Sequence, residues 1–375
     1  MRKNSRIITD EPMTQPLVSA EVLEKLIVGF HGRELSGELR DLLAQGLGGV
    51  VLFPRNFSGP AELRALTDEI RSAAGPWALI GIDQEGGTQF SLPEPFTQWV
   101  SPEDLGKLDN EELVEMQAAA LARELRSVGC NLDFAPMLDL HVHPDSPVTR
   151  LRSFGSDPQR VSRLGMAFAG ALAEEGVLAC AKHFPGHGDA TIDPHLDSAV
   201  FRGDLKRLKS AELVPFQALI SAKVPMIMTA HIFLPEIDAE LPASLSRKVL
   251  RGILRGAEFD GVILADDLAM GAIANSWAPA ESAVVTFQAG SDMALLCHDW
   301  KLVKPVLERL SLARDRGEFD DAEWQASHKR ITRLRQKLES TYQTPPALEV
   351  VGCKQHWAIV EEIRSQLAKK LEKPS

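Results

Sequence analysis

The sequence predicts an α/β protein, a (β/α)8 TIM barrel with a short C-terminal helical appendage, and three observations point there. Short runs rich in Val, Ile and Leu alternate with longer stretches in which apolar residues recur every three or four positions. Polar residues suited to chemistry gather at the C-terminal ends of those runs. The loops after the first two runs, FHGREL and FPRNFS, lack the Gly-rich phosphate turn that a doubly wound nucleotide-binding sheet needs.

The strand candidates are LIVGF at 26–30, GVVLF at 49–53, ALIGID at 78–83, NLDFAP at 131–136, VLACAK at 177–182, PMIMTA at 225–230, GVILAD at 261–266 and DMALL at 292–296. They are nearly continuous in apolar character, as strands buried on both faces by covering helices must be. The helix candidates between them are 36–46, 60–74, 109–128, 158–176, 205–222, 245–257, 278–289 and 300–314. Residues 1–318 are thereby assigned to the barrel. Two charged amphipathic helices, 320–341 and 353–371, joined by TPPALEV, make 319–375 an appendage too short for a core of its own.

With 44% hydrophobic and 25% charged residues the chain can bury a sizeable core without metals or disulfides. A balance of 41 basic against 52 acidic residues, net −11, argues against nucleic acid or an anionic membrane as partner and favours a small substrate. No apolar run approaches a membrane span, and MRKNSRIITDEP has no apolar segment behind its basic residues, so a cytoplasmic, monomeric protein is expected. Cys130, Cys180, Cys297 and Cys353 are widely separated, the first three beside apolar runs, where a reduced cysteine packs as a small hydrophobe.

In such a barrel the strands converge on an open face only at their C-terminal ends. Arg55 and Asn56 follow the second run, Asp83 ends the third, Lys182 and His183 end the fifth, His231 follows the sixth, and Asp266 and Asp267 end the seventh. The string KHFPGHGD at 182–189 leads into Asp193 and His195, two positions apart, so an extended backbone puts both side chains on one side, where a carboxylate can orient an imidazole. Of the adjacent carboxylates Asp266 and Asp267, one can serve chemistry while the other caps the following turn.

The strings LFPRN, DQEGG, NLDFAP, RSFGSDP, KHFPGHGD, MTAH, PASLS, GVILADDLAM and AGSDMALL stand in one order. Together, over roughly residues 25–300, they resemble glycoside hydrolase family 3, in particular its single-domain bacterial β-N-acetylglucosaminidases. The resemblance implies a retaining β-N-acetylhexosaminidase that needs no cofactor and no metal and acts on N-acetylglucosaminyl muropeptides in peptidoglycan recycling. It makes Asp266 the nucleophile, His195 the acid/base with Asp193 orienting it, and Asp83, Arg152, Lys182, His183 and His231 the substrate contacts.

Several positions depart from the family pattern. Ala265 replaces the usual Ser before the nucleophile, Thr88, Gln89 and Phe90 stand where Arg is usual after DQEGG, Thr191 and Pro194 alter the acid/base loop, and Ser198 and Ala199 replace Leu-Pro. These put substrate preference and rate in question rather than fold. The rival readings are a family 3 β-glucosidase or glycoside phosphorylase, a metallohydrolase using His183, His187, His195 and His231, and a sugar-binding protein with weakened turnover.

Overall fold

The computed structural model describes residues 18–87, 92–188, 190 and 199–372. Its strands are β1 (Leu26–Gly29), β2 (Gly49–Val51), β3 (Leu79–Ile82), β4 (Leu132–Asp133), β5 (Leu178–Phe184), β6 (Ala199–Val200), β7 (Met226–Thr229), β8 (Ile232–Phe233), β9 (Val262–Ala265) and β10 (Met293–Leu296). Eight of them close a parallel barrel in the order β1-β10-β9-β7-β5-β4-β3-β2. The seam is made by β1 on β10, with Ile27 opposite Leu295. Each barrel strand coincides with one of the apolar runs. β6 and β8 form a separate two-stranded parallel pair beside the mouth.

The covering helices begin where the sequence offers caps. Ser36, Asn110 and Asp157 each accept a backbone N–H of the first turn of the helices Gly37–Ala44, Glu111–Ser127 and Pro158–Glu174. The stretch 205–222, expected as one helix, is two, Leu205–Ser210 and Leu213–Ser221. Pro215 explains the break: inside a continuous helix its ring would clash with the Ala211 carbonyl, whereas a restart at Leu213 places it in a first turn that needs no N–H. The segment expected as helix 245–257 is a π-helical stretch, Lys248–Leu254, followed by a 3-10 turn.

The barrel interior is filled, not hollow. Ile27, Val51, Leu79, Phe134, Cys180, Met228, Leu264 and Leu295 belong to one buried cluster. Ile331, Leu334 and Leu338 of the helix Asp321–Ser340 join the same cluster and close the barrel where its strands begin. That helix is pinned by ion pairs: Arg330 Nε reaches Asp292 at 2.9 Å, and Arg333 grips Asp260 at 2.7 and 2.9 Å. The last helix, Lys354–Leu371, is fastened through buried Glu124, whose carboxylate accepts from Thr97 Oγ1 at 2.6 Å, Gly352 N at 2.8 Å and His356 Nδ1 at 2.9 Å. All four cysteines are free thiols. Burial pushes Cys130 up to about 12, which makes it an inert core residue. Among the described residues no helix is long and apolar enough to cross a membrane.

Candidate active site

β3 carries the chain to Asp83 and Glu85, after which Gly86 and Gly87 turn with φ of +93° and +77°. A Cβ at Gly86 would lie 2.7 Å from the Val100 carbonyl, so only glycine allows this turn. The turn holds Glu85 inside, 1% exposed, where it meets two cations. Arg152 binds it with both prongs, Nε and an Nη each at 2.8 Å, and Lys182 Nζ lies 2.6 Å away. Lys182 also donates to Asp83 at 2.7 Å. Burial alone would raise the Glu85 carboxyl, but Arg152 and Lys182 outweigh it and hold it at about 2. Lys182 shows the converse: burial would lower its ammonium, and Asp83 and Glu85 together drive it above the ordinary lysine value. Two anions and two cations thus form a charge-balanced frame from the ends of β3 and β5 and the loop containing Arg152, buried except at Asp83.

Asp133 lies within the field of this frame, fully buried at the end of β4. Its Oδ1 accepts Gln84 N at 3.0 Å and its Oδ2 has no partner among the described residues. Burial pushes its carboxyl well above the usual range.

Asp139 is a second buried carboxylate, on the loop after β4. It accepts the backbone N–H and the ring Nδ1 of His183 at 3.0 and 2.8 Å, and those of His187 at 2.7 and 2.9 Å. Burial would raise its carboxyl, yet His187 and His183 hold it well below the usual range. His183 is depressed by burial, against the pull of Asp139.

Across the mouth, β9 ends in Asp266 and Asp267. Asp266 Oδ1 accepts the Asp267 backbone N–H at 2.8 Å. Asp267 Oδ1 accepts Ala269 N and Cys297 N, both at 3.1 Å, tying the turn to the end of β10, and burial raises its carboxyl. Asp267 therefore serves the backbone, leaving Asp266 as the half-buried carboxylate of the pair.

One pocket at the mouth is lined by Asp83, Arg152, Lys182, His183 and Asp266, over an apolar floor that includes Phe134 and Met228. It is small, about 70 Å³, and a groove of about 720 Å³ on the barrel flank is roomier. In that groove Asp238 caps its own turn through Ser246, and Arg251 and Arg330 are paired to Glu323 and Asp292. Chemistry rather than size picks out the mouth.

The structure thus gathers five of the expected residues into one pocket. His231, expected among the substrate contacts, sits behind it. Its Nε2 donates to the Asp267 carbonyl at 3.0 Å, so its Nδ1, 2.7 Å from Ser244 Oγ, accepts that hydroxyl. With both ring nitrogens engaged and the ring 1% exposed, it can act on a ligand only by fixing the Asp266–Asp267 turn. Burial keeps it below the usual histidine value. Arg55 and Asn56 are structural as well, donating to the Phe30 carbonyl at 3.1 Å and fastening the ends of β1 and β2 together. Asp193, His195 and the altered positions Thr88, Gln89, Phe90, Thr191 and Pro194 lie outside the described residues.

Glu85 and Asp139 were not singled out from sequence. Glu85 had a signal, since it stands two positions beyond Asp83 and extended backbone sends both to one side. Asp139 had none, because MLDL reads as ordinary loop.

Comparison with known proteins agrees with this fold. The sequence matches the glycosyl hydrolase family 3 N terminal domain over residues 17–334. It is 39% identical over 298 residues to a β-hexosaminidase of Thiobacillus denitrificans, covering 77% of this chain and 82% of that one. It is 35% identical over 345 residues to a β-hexosaminidase of Alkalilimnicola ehrlichii, covering 88% and 98%. Among solved structures, a family 3 β-N-acetylglucosaminidase from Paenibacillus sp. FPU-7 superposes with a TM-score of 0.88 at 33% identity, covering 93% of this chain and 68% of that one.

Proposed function

Because the chain belongs to glycoside hydrolase family 3, we propose that it is a retaining β-N-acetylhexosaminidase, removing terminal non-reducing N-acetyl-β-D-glucosamine through a covalent intermediate on Asp266. The observation that carries this reading is the half-buried Asp266 at the end of β9, in the same pocket as the Glu85-braced cations Arg152 and Lys182.

Asp266 attacks the anomeric carbon as His195, oriented by Asp193, gives its proton to the departing glycosidic oxygen. The sugar is left esterified to Asp266. In the second half His195 takes a proton from water, and the hydroxide equivalent releases the sugar with overall retention. Histidine suits both halves because its ordinary pKa lies near neutrality. Asp83, Arg152, Lys182 and His183 hold the sugar hydroxyls, and pre-paired charges of this kind do so without reorganising.

The aglycone we assign is a cell-wall muropeptide in the cytoplasm, with the chain acting as a monomer without metal or cofactor. Residues 1–318 are then the catalytic barrel and 319–375 its appendage. The test is turnover of 4-nitrophenyl N-acetyl-β-glucosaminide beside the β-glucoside, with and without phosphate. Preference for the acetamido sugar with no phosphate stimulation is expected. Preference for the glucoside, phosphate-dependent release of a sugar phosphate, or binding without turnover each overturns the reading in favour of a rival.

A further inference from the structure

The mechanism above gives Asp139 no part. Yet it is fully buried and collects four N–H groups, two backbone and two imidazole, in a single carboxylate. Its own backbone is held too, since Ser153 Oγ donates to the Asp139 carbonyl at 2.6 Å, next door to Arg152.

An ionised carboxylate only accepts hydrogen bonds, so each imidazole must present Nδ1 as an N–H. In the neutral ring that leaves Nε2 as a bare lone pair. Among the described residues His187 Nε2 is buried without a partner, but His183 lines the sugar pocket. Its Nε2 is therefore an acceptor in a pocket whose cations, Lys182 and Arg152, can only donate. A sugar hydroxyl both donates and accepts, so one that takes a hydrogen bond from Lys182 or Arg152 needs an acceptor for its own proton, and Nε2 adds such an acceptor to the carboxylates of Asp83 and Asp266 in the same pocket.

We propose that Asp139 is a positioning residue that fixes the tautomer of His183, so that Nε2 accepts a hydrogen bond from one hydroxyl of the bound sugar. Asparagine cannot replace it. Whichever way the amide is turned, an NH2 faces one of the two backbone N–H groups, and the imidazole on that side must move its proton to Nε2 to keep an Nδ1 bond. The inference rests on the proposed glycosidase reading for the identity of the ligand, but the tautomer does not.

The test has two arms. In the full-length protein carrying 15N-labelled histidine, two-bond proton–nitrogen correlation spectra near neutral pH distinguish bare from protonated ring nitrogens. The His183 signals are identified by their loss in His183→Gln. We expect Nδ1 protonated and Nε2 bare in the wild type, and in Asp139→Asn a shift of His183 toward Nε2–H, because the buried His187 Nε2 has no acceptor among the described residues to receive a proton. A wild-type His183 protonated at Nε2 overturns the proposal whether or not the variant folds, and needs no enzymatic activity.

In the second arm, 3-, 4- and 6-deoxy analogues of 4-nitrophenyl N-acetyl-β-glucosaminide are compared in the two proteins. One analogue should lose roughly tenfold or more in kcat/KM with the wild type, the size of a single hydrogen bond from a fixed partner, and little further with Asp139→Asn. A full and equal loss in both proteins for every analogue would make Asp139 merely structural. Absence of turnover in the wild type would instead remove the glycosidase reading and leave the tautomer result standing.

Discussion

Buried ion clusters sit at both ends of this barrel, and they differ in what they face. At the closed end, Asp292 accepts from Arg255 at 2.6 Å, from Arg330 at 2.9 Å and from Ile263 N at 2.8 Å, joining the helix Asp321–Ser340 to the strands. At the mouth, Glu85 accepts from Arg152 and Lys182 at similar distances. The pairing physics is the same. At the closed end, however, the carboxylate draws a helix onto the strands that its side chains plug, whereas at the mouth both cations line a pocket that also holds Asp266. A buried ion pair by itself therefore says nothing about function, and its neighbours decide.

The contrast predicts that the largest effects on activity come from mouth residues that support no packing. Asp266→Asn keeps an acceptor for the Asp267 N–H, so the melting temperature should hold while turnover falls by roughly four orders of magnitude or more. Thermal unfolding beside single-turnover kinetics checks both halves, and a destabilised but active variant would break the contrast.

Next in size is His195→Ala. Loss of a general acid costs roughly 100- to 10,000-fold where the leaving group needs a proton, and far less for 2,4-dinitrophenolate, which does not. Comparing muropeptide with the dinitrophenyl glycoside reads this directly. Equal losses on both would remove His195 from that role.

The two clusters can be set against each other through Glu85→Gln and Asp292→Asn. Glu85→Gln takes a carboxylate from Arg152 and leaves Lys182 with Asp83, and Asp292→Asn takes one from Arg255 and Arg330, each at a cost of about 3–5 kcal/mol. Only Glu85→Gln should also lower kcat/KM in the folded protein, by roughly ten- to a hundredfold, because Arg152 and Lys182 lose their anchor. The acid limb sharpens the difference. The Glu85 carboxyl is depressed from about 4.5 to about 2 on folding, so its stabilisation is complete above pH 4.5 and is lost as pH falls toward 2. Glu85→Gln should lack that part of the pH dependence in denaturant titrations, and an unchanged slope between pH 4.5 and 2 would contradict it.

The smallest effect belongs to Lys25, at the closed end. It is 1% exposed, bonded to Ser327 Oγ at 2.6 Å and set 4.4 Å from the Trp324 ring centroid, with burial lowering it to about 8. Without a carboxylate at hydrogen-bond distance among the described residues its burial is poorly compensated, so Lys25→Met should leave stability level or raise it by about 1 kcal/mol, with kinetics unchanged. A loss above about 2 kcal/mol in urea unfolding would show that the charge itself holds the closed end together.

The barrel was legible because strands covered on both faces must be apolar throughout, and such runs survive in sequence without an alignment. The break at Ala211 was legible too, had Pro215 been weighed against helix geometry. β6 and β8 were not, being two residues each and paired only by tertiary placement. At the mouth, residues at strand ends were found by counting from the strands, which is why Asp83, Lys182, His183 and Asp266 came from sequence. His231 obeyed the same count but its ring turned inward, a matter of rotamer and of Ser244, which no spacing encodes. Asp139 reaches the site from beyond the end of its strand, through contacts 44 and 48 positions away in sequence.

The most direct measurement of the central claim is covalent trapping. A 2-deoxy-2-fluoro or 5-fluoro glycoside slows release of the glycosyl intermediate, and proteolysis with mass analysis then locates the label. The account predicts one sugar on the peptide containing Asp266, abolished in Asp266→Asn and retained in Asp292→Asn. Label on Asp267, whose Oδ1 is already taken by the N–H groups of Ala269 and Cys297, would contradict it.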